Sequence, residues 1–388
     1  GAHGFYGIGL FTQSSLSSHP VTDFVDIGYA NNLKLKYLYF MRYVMSDNFL
    51  WEDWHTKLSD DIIALLESRG AKKDDQQIYA IPNFDYNEIA PLEFFEKFVK
   101  LGRPAIIHNF PTTAMKLWTP DYIASKMKPN YTTGMRCGGR IYPKVITEYV
   151  QSKSDPNATV CYIDNNVNVF TDHPELEAEL EIDKFSAYAL NTITPKGTKV
   201  NGYFFSQLFM GVFPSLGATY HCANYNNLFF MIKGRKKWTF VDSSHSFFLY
   251  PTFPSVMRTT FSRLNWYMLH NEHSKEMIMK YYPLLRYAPK YEYILQPGDV
   301  LFNPSWNWHM VENLDDESIG VASRWKMPGF YPYTNALFSL LHFISLEFWE
   351  MLYIKIASQM GVTTNTSYKP LAHLEFDDNV NFGKVGSM

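Results

Sequence analysis

The apolar positions of this chain follow two different periods. Over residues 31–68 they recur at helical spacing, and Gly70 followed by the polar run Ala71-Lys-Lys-Asp-Asp predicts the end of this helical region. From about residue 202 to 325 they form short runs separated by turn residues, which predicts β-strands. We therefore expect three parts: an N-terminal helical region (1–78), a β-rich domain (79–325, core about 202–325) and a C-terminal helix with a polar tail (326–388).

The strands predicted for the core are short. Asn227-Leu-Phe-Phe-Met-Ile is an apolar strand ending at Lys233-Gly234, and Lys236-Lys-Trp-Thr-Phe-Val is the next, so we expect the two to form a hairpin. Gln296-Pro-Gly-Asp predicts a turn between later strands. Four more strands are predicted at residues 291–295, 300–302, 309–312 and 320–325. Many short strands with turns between them favour a closed antiparallel architecture, and we expect a jelly-roll barrel with flanking helices.

Two helices and a strand are predicted before this core. Pro91 lies in the first turn of one predicted helix, and Thr119 is placed to cap another that begins at Pro120. Residues 102–108 are typical of a short buried strand. The region from about residue 79 is therefore expected to extend the core with mixed helices and strands.

The most apolar predicted helix lies near the C-terminal end of the sequence. It covers residues 336–357, but Glu347, Glu350 and Lys355 interrupt it, which argues against a membrane span. Leucines recur at helical spacing on one face of residues 336–359. This face predicts a homodimer through that helix, or else packing against the chain's own barrel.

Composition narrows the classes of function. Among 388 residues, 35 are Lys or Arg and 38 are Asp or Glu, giving a net charge of −3 and no electrostatic case for nucleic-acid binding. The basic run Lys233-Gly-Arg-Lys-Lys does not change this, because strand alternation turns Lys236 inward. Aromatic residues reach 17% and charged residues only 19%, which indicates aromatic surface that is buried or lines a groove.

The compartment is left open by the sequence. Three cysteines argue against a disulfide framework and a four-cysteine zinc site. Sequons at Asn130, Asn157 and Asn365 are compatible with a secretory route. The sequence starts with Gly-Ala-His-Gly, which leaves open an earlier targeting segment.

Two histidines stand out by their context. His221 lies in Ala218-Thr-Tyr-His-Cys-Ala, just before the first strong strand. His309 ends the run Pro297-Gly-Asp-Val-Leu-Phe-Asn-Pro-Ser-Trp-Asn-Trp-His. A lone histidine in a strand is more often a core residue than a ligand, and it is the surrounding pattern that reverses this reading.

That pattern resembles the JmjC family of Fe(II)- and 2-oxoglutarate-dependent oxygenases, especially the small hydroxylase branch that includes the asparaginyl hydroxylase acting on hypoxia-inducible factor. The resemblance rests on His221, Asn227, the Lys233-Gly-Arg-Lys-Lys-Trp run and the Pro297-to-His309 run, and it extends over about residues 81–325. It implies a cupin-like double-stranded β-helix in which His221 and His309 bind Fe(II). It also implies that Lys236, Tyr162 and Asn227 contact 2-oxoglutarate.

The chain departs from this family at residue 223. Residues 221 and 223 are two apart on a predicted strand and so share a face, but Ala223 stands where the family has a metal-binding aspartate or glutamate. We expect no other carboxylate to replace it, since Glu312, the nearest in sequence to His309, is turned to the opposite face. The facial set of two histidines and one carboxylate is therefore reduced to two histidines.

Three interpretations of Ala223 follow. The vacated position can take an anion such as chloride, as in halogenases of another 2-oxoglutarate-dependent branch, or it can take water in a two-histidine hydroxylase. The third is an inactive pseudoenzyme that keeps the barrel as a binding or scaffold protein. An engineered replacement of aspartate would give the same sequence. Because Lys236, Tyr162 and Asn227 remain, we expect a metal-binding protein that uses 2-oxoglutarate.

The substrate is not specified by these residues. An aromatic group is expected near the mouth of the site, and it comprises Tyr203, Phe204, Phe205, Tyr220 and Tyr225. The substrate class is left as a protein side chain or a small molecule.

Overall fold

The structure is a computed structural model. It describes residues 34, 37, 38, 41, 52–71, 73, 78–137, 140–190, 205–223, 225–251, 259–264, 269, 275–325, 356 and 360. The helix and dimer face predicted at residues 336–359, the polar tail and most of residues 31–51 lie outside this part of the chain.

Two β-sheets face each other. The strands are β1 (Ile78–Ala80), β2 (Asn83–Asp85), β3 (Ala105–His108), β4 (Thr132–Cys137), β5 (Arg140–Val145), β6 (Cys161–Asn166), β7 (Phe205–Gly211), β8 (Gly217–Ala223), β9 (Asn226–Lys233), β10 (Lys236–Val241), β11 (Thr259–Phe261), β12 (Lys290–Leu295), β13 (Val300–Asn303), β14 (Trp308–Asn313) and β15 (Ser318–Trp325). The six-stranded sheet has the order β1-β12-β10-β14-β8-β11, and the nine-stranded sheet has the order β2-β3-β13-β9-β15-β7-β6-β4-β5. All neighbours are antiparallel except the pairs β1–β12 and β2–β3.

Alternation along the strands divides the buried side chains into three cores. Phe229, Trp238 and Ala322, from both sheets, meet between the sheets in an interior core. Leu228 and Phe230 point the other way, into a larger core on the outer face of the nine-stranded sheet. Each fully buried side chain of this size contributes about 1.5–3 kcal/mol to the free energy of unfolding. The result is a jelly-roll core, as the strand pattern predicts.

Helices cover the outer faces of both sheets. Leu58, Ile62 and Leu66 of α1 pack with Cys222 and Trp308 on the six-stranded sheet. The helices are α1 (Glu52–Glu67), α2 (Pro91–Phe94), α3 (Thr113–Leu117), α4 (Pro120–Lys126), α5 (Ile146–Gln151), α6 (Asn168–Asp172), α7 (Pro174–Glu179), α8 (Asp183–Leu190) and α9 (Lys275–Tyr281). A π-helical turn (Phe95–Val99) continues α2, and 3₁₀ turns lie at Ser152–Ser154, Ser243–Leu249 and Pro283–Tyr287.

Local signals in the sequence set several of these elements. The hydroxyl of Thr119 accepts a hydrogen bond from the backbone N–H of Tyr122 at 3.0 Å, which confirms the predicted cap of α4. Pro91 begins α2 as expected. The turn at Gln296-Pro-Gly-Asp is also present, and its Gly298 has a φ of 97°, a conformation that glycine adopts without strain.

The predicted hairpin of β9 and β10 is wrong. β9 pairs with β13 and β15 in the nine-stranded sheet, whereas β10 pairs with β12 and β14 in the other sheet. The Lys233-Gly234 turn therefore carries the chain from one sheet to the other. β9 is buried on both faces from Asn226 to Ile232, so it lies in the middle of a sheet. Its backbone hydrogen bonds are made with β13 and β15, which are distant in sequence, and not with the next strand along the chain.

The expectation that the cysteines form no disulfide framework also needs correction. Cys137 on β4 and Cys161 on β6 are direct partners across the two antiparallel strands, with Cα atoms 4.3 Å apart, and they form one disulfide. Cys222 is free and buried, and burial raises the pKa of its thiol. Three cysteines are thus used as one bridge and one core residue.

In the described ranges, no helix combines the length and the apolar character needed to cross a bilayer.

Candidate functional site

Two histidines from distant parts of the sequence face each other inside the barrel. His221 on β8 and His309 on β14 are direct partners on adjacent antiparallel strands. Their ring centroids lie 4.2 Å apart. Cys222, between His221 and Ala223, points into the opposite core, which places His221 on the interior face.

Backbone carbonyls orient both imidazoles in the same way. Nδ1 of His221 donates to the carbonyl oxygen of Thr219 at 2.8 Å, and Nδ1 of His309 donates to that of Asn307 at 3.0 Å. A proton held on Nδ1 leaves the lone pair on Nε2. Burial lowers the pKa of His221 to about 4 and that of His309 well below its usual value, so both rings are neutral at pH 7.

Aromatic rings enclose the histidine pair. Trp238 stacks on His309 with centroids 5.4 Å apart, and Phe261 of the edge strand β11 stacks on His221 at 5.7 Å. Phe261 is 45% exposed, so it lies between the pair and solvent. Trp238 belongs to the interior core and closes the opposite side.

Neutral imidazoles with their lone pairs on Nε2 are ligands for a divalent transition metal. In this structure Nε2 of His309 accepts a hydrogen bond from Nδ2 of Asn303 at 3.3 Å, which a metal would replace. In the part of the chain that the structure describes, no third His, Cys, Asp or Glu joins them as a metal-binding group. Ala223 pairs with Thr259, and Glu312 lies beside Lys237 on the outward face of β14, as alternation predicts. The donor set thus fits a metal only if a ligand or solvent supplies the remaining positions.

A buried lysine lies on the same interior face of β10 as Trp238. Lys236 is only 2% exposed, and its Nζ donates to the phenol oxygen of Tyr162 at 2.9 Å and to the amide oxygen of Asn313. Asn313 is itself held by a 2.6 Å hydrogen bond from its Nδ2 to the hydroxyl of Ser215. Burial lowers the pKa of Lys236 to about 7 and raises that of Tyr162.

The surroundings of this lysine favour an anion. Among the described residues, no carboxylate lies within 4 Å of Lys236, and the two acceptors that it has are neutral. Because desolvation penalises the ammonium, an anionic group placed beside it stabilises the charged form.

Two asparagines border the histidines. Asn227 on β9 and Asn303 on β13 are direct partners across the strands. Nδ2 of Asn303 lies 3.3 Å from Nε2 of His309, and the amide oxygens of both asparagines are buried with no hydrogen-bond partner in the described structure. The interior therefore offers free acceptors next to the imidazoles.

Some site residues were missed by the sequence reasoning. Asn303 lies within the Pro297-to-His309 run and Asn313 lies one residue past the strand predicted at residues 309–312, but nothing in their spacing distinguishes them. Arg324 had a signal, since it is the single charged residue of the otherwise uncharged strand Ser318–Trp325.

The aromatic group expected at the mouth is found only in part. Phe205 and Tyr225 are in edge-to-face contact at 5.1 Å. Tyr220 belongs instead to the core under α1, because it alternates with His221 on β8 and so faces away from the interior. Tyr203 and Phe204 lie outside the described residues.

Comparison with known proteins agrees with this fold. Residues 141–329 match the model of a family described as "Cupin-like domain", so the chain contains a cupin-like domain. HSPB1-associated protein 1 of Homo sapiens is 34% identical over 113 residues, which is 28% of this chain and 22% of the relative. The Bos taurus protein is 34% identical over 106 residues (27% and 19%), and the Danio rerio homolog is 35% identical over 102 residues (26% and 21%). The chain thus matches about a fifth of the length of these curated relatives.

Proposed function

We propose that this chain is an oxygenase-type protein of the Fe(II)- and 2-oxoglutarate-dependent class. One observation carries the proposal: two neutral imidazoles with their lone pairs on Nε2 share a barrel interior with a buried lysine amine that lacks a carboxylate partner among the described residues. The cupin-like match supports the same class at the level of the domain.

In this proposal Lys236 binds the distal carboxylate of 2-oxoglutarate. The hydrogen bonds of its Nζ to Tyr162 and Asn313 fix the direction of the ammonium, and Tyr162 keeps its proton because burial raises its pKa. A carboxylate here gains a charge-assisted hydrogen bond in surroundings of low polarity. Asn227 lies on the same interior face, and its side-chain amide is the group that would donate to the co-substrate.

His221 and His309 would hold Fe(II), which supplies oxygen activation coupled to oxidative decarboxylation of 2-oxoglutarate. The carbonyl oxygens of Thr219 and Asn307 hold the two rings with Nε2 toward the interior. Trp238 and Phe261 restrict access of bulk water to the pair. The position left by Ala223 is then filled by water, as in a hydroxylase, or by chloride, as in a halogenase.

Anaerobic titration with Fe(II) tests the metal assignment. Wild-type protein should retain bound iron after desalting, and His309→Ala should lose it. His108→Ala is the matched control, since His108 hydrogen-bonds Asp299 and is not part of the pair. Equal iron content in wild type and His309→Ala would remove the assignment.

A second candidate is a binding protein without catalysis. The observation in its favour is the missing carboxylate at Ala223. Two neutral ligands alone hold a dication weakly, since even the loss of a group that only supports a ligand costs about 10–100-fold in affinity. This candidate predicts ligand binding to the barrel with no iron retention and no turnover.

A protein side chain is our proposed substrate. The curated relatives carry a name that describes association with HSPB1, and an exposed aromatic ring, Phe261, borders the histidine pair here. Incubation with peptide mixtures, Fe(II), 2-oxoglutarate, chloride and oxygen, followed by mass spectrometry, should find a peptide that has gained one oxygen or has one chlorine in place of one hydrogen. Turnover of small metabolites alone would contradict this choice of substrate.

A further inference from the structure

Arg324 is a cation placed on the interior side of the nine-stranded sheet. It lies on β15, where its backbone pairs with Asn227 of β9 on one side and Phe205 of β7 on the other. It shares a strand face with Ala322, which is part of the interior core. The side chain of Arg324 therefore leaves β15 on the same face of the sheet as the two asparagines next to the histidine pair.

The guanidinium has unused hydrogen-bonding capacity. Its Nε is buried with no partner, and one Nη donates only a long 3.5 Å hydrogen bond to the amide oxygen of Asn165. Within the described ranges, no carboxylate lies within 4 Å of it. Burial lowers the pKa of Arg324 to about 10, so it stays charged at pH 7. A charge desolvated in this way is costly unless an anion pairs with it.

Arg324 is connected to the histidines through the two asparagines. Its backbone pairs with Asn227 of β9, Asn227 pairs with Asn303 of β13, and Nδ2 of Asn303 lies 3.3 Å from Nε2 of His309. The interior thus holds the cation Arg324, the amine of Lys236, which a bound anion would keep protonated, and two neutral imidazoles. The loss of a carboxylate at Ala223 and the presence of Arg324 both make this end of the barrel more favourable for an anion.

We propose that Arg324 anchors a second anion subsite beside the histidine pair, so that the barrel binds small dicarboxylates through Lys236 and Arg324 without requiring a metal ion. A carboxylate fits because the planar guanidinium presents paired N–H donors in the geometry that two carboxylate oxygens accept. The role of Lys236 in this site rests on the proposed function. The role of Arg324 and binding without a metal ion go beyond it.

Calorimetric titration of the full chain in EDTA tests the inference. Succinate and 2-oxoglutarate are the probes, and butyrate, which has a similar carbon chain and a single carboxylate, is the control ligand. Succinate should bind, and butyrate should bind at least about tenfold more weakly, as expected for the loss of one charge-assisted contact. Arg324→Gln should weaken succinate by a similar factor and should leave its affinity close to that of butyrate.

Two further variants separate a local effect from misfolding. Arg324→Lys keeps the charge but loses the paired donors, so it should bind succinate with an affinity between wild type and Arg324→Gln. Lys233→Gln removes a cation that pairs with Glu317 at the end of β9, and it should bind succinate within about twofold of wild type. Equal succinate affinity in wild type, Arg324→Gln and Arg324→Lys would overturn the subsite.

Metal separates this inference from the proposed function. Succinate binding in EDTA together with failure to retain Fe(II) would support the subsite and remove the oxygenase proposal. Dicarboxylate binding that appears only after Fe(II) is added would overturn the metal-free subsite and leave the oxygenase proposal in place.

Discussion

The ammonium of Lys236 donates a hydrogen bond to the phenol oxygen of Tyr162, 2.9 Å away, although the two residues lie 74 positions apart in the sequence. The contact joins β10 of one sheet to β6 of the other, so it spans the barrel interior. It satisfies one of the three donors of a buried ammonium with a neutral acceptor. The charge itself is left uncompensated by the described residues, and this makes the stability of the protein depend on pH.

Stability of the ligand-free protein should rise with pH above 7. The folded-state pKa of Lys236 is about 7, against 10.5 in the unfolded chain. Below pH 7 both states carry the proton, and the folded state bears the full desolvation cost. Between pH 7 and 10.5 the folded state loses the proton first, so the free energy of unfolding should increase by up to about 1.4 kcal/mol per pH unit. Urea unfolding at pH 7, 8 and 9 measures this slope.

Two variants test whether Lys236 causes this pH dependence of stability: Lys236→Met and, as the control, Lys237→Met. Lys236→Met should flatten the slope, because no titrating ammonium remains inside the barrel. Lys237 faces outward and pairs with Glu292 at 3.1 Å, so its replacement should leave the slope unchanged. The same slope in wild type and Lys236→Met would contradict the assignment of the effect to Lys236.

The disulfide gives a second prediction. Under denaturing conditions a thiol reagent should label one cysteine before reduction and all three after it, since Cys137 and Cys161 are bridged and Cys222 is free. Native protein should resist labelling because Cys222 is buried. Closing a loop of 24 residues contributes roughly 3 kcal/mol through the unfolded state, so Cys137→Ser should lower the free energy of unfolding by about that amount. Three labelled thiols without reduction would contradict the bridge.

Much of the fold was predictable from local pattern. Alternation and turn residues located β9 and β10 nearly to the residue, and the Thr119 cap located the start of α4. Pairing was less accessible, because nothing in a strand that is buried on both faces says which strands will flank it. The assumption that neighbours in sequence form a hairpin failed at Gly234 for this reason.

The candidate-site residues that belong to a sequence motif could be predicted. Those that reach the site only through strand pairing could not. His221 and His309 are 88 positions apart, yet the family resemblance singled them out, and the structure brings them together. Asn303 lies inside the Pro297-to-His309 run and Arg324 is the single charged residue of its strand, but neither feature assigned a role to the side chain. Their relevance depends on which strands β13 and β15 pair with, and that is a property of the sheet rather than of either segment.

Placing a carboxylate at residue 223 should strengthen metal binding. His221 and residue 223 share a strand face, so Ala223→Asp adds an anionic ligand on the side where the imidazoles point. We expect Fe(II) affinity to rise by at least about tenfold, the lower bound for a change in ligand support. Ala223→Asn has the same shape without the charge and should give a much smaller gain. Equal affinities for the two variants would show that residue 223 does not face the metal.

The last prediction concerns the reaction and the anion at residue 223. If the oxygenase proposal holds, succinate should form from 2-oxoglutarate when Fe(II) and oxygen are supplied. An iron held by two neutral histidines lacks the negative charge that an aspartate would bring, and a small anion bound beside Ala223 would supply it.

Succinate formation is therefore expected to rise when chloride replaces a large, non-coordinating anion at constant ionic strength. Ala223→Asp is the informative partner, because its carboxylate fills the same position and should make turnover independent of chloride. Turnover that is indifferent to chloride in the wild type would support hydroxylation with water in the position. No succinate from wild type or Ala223→Asp, in either salt, would remove the oxygenase proposal and leave the ligand-binding barrel.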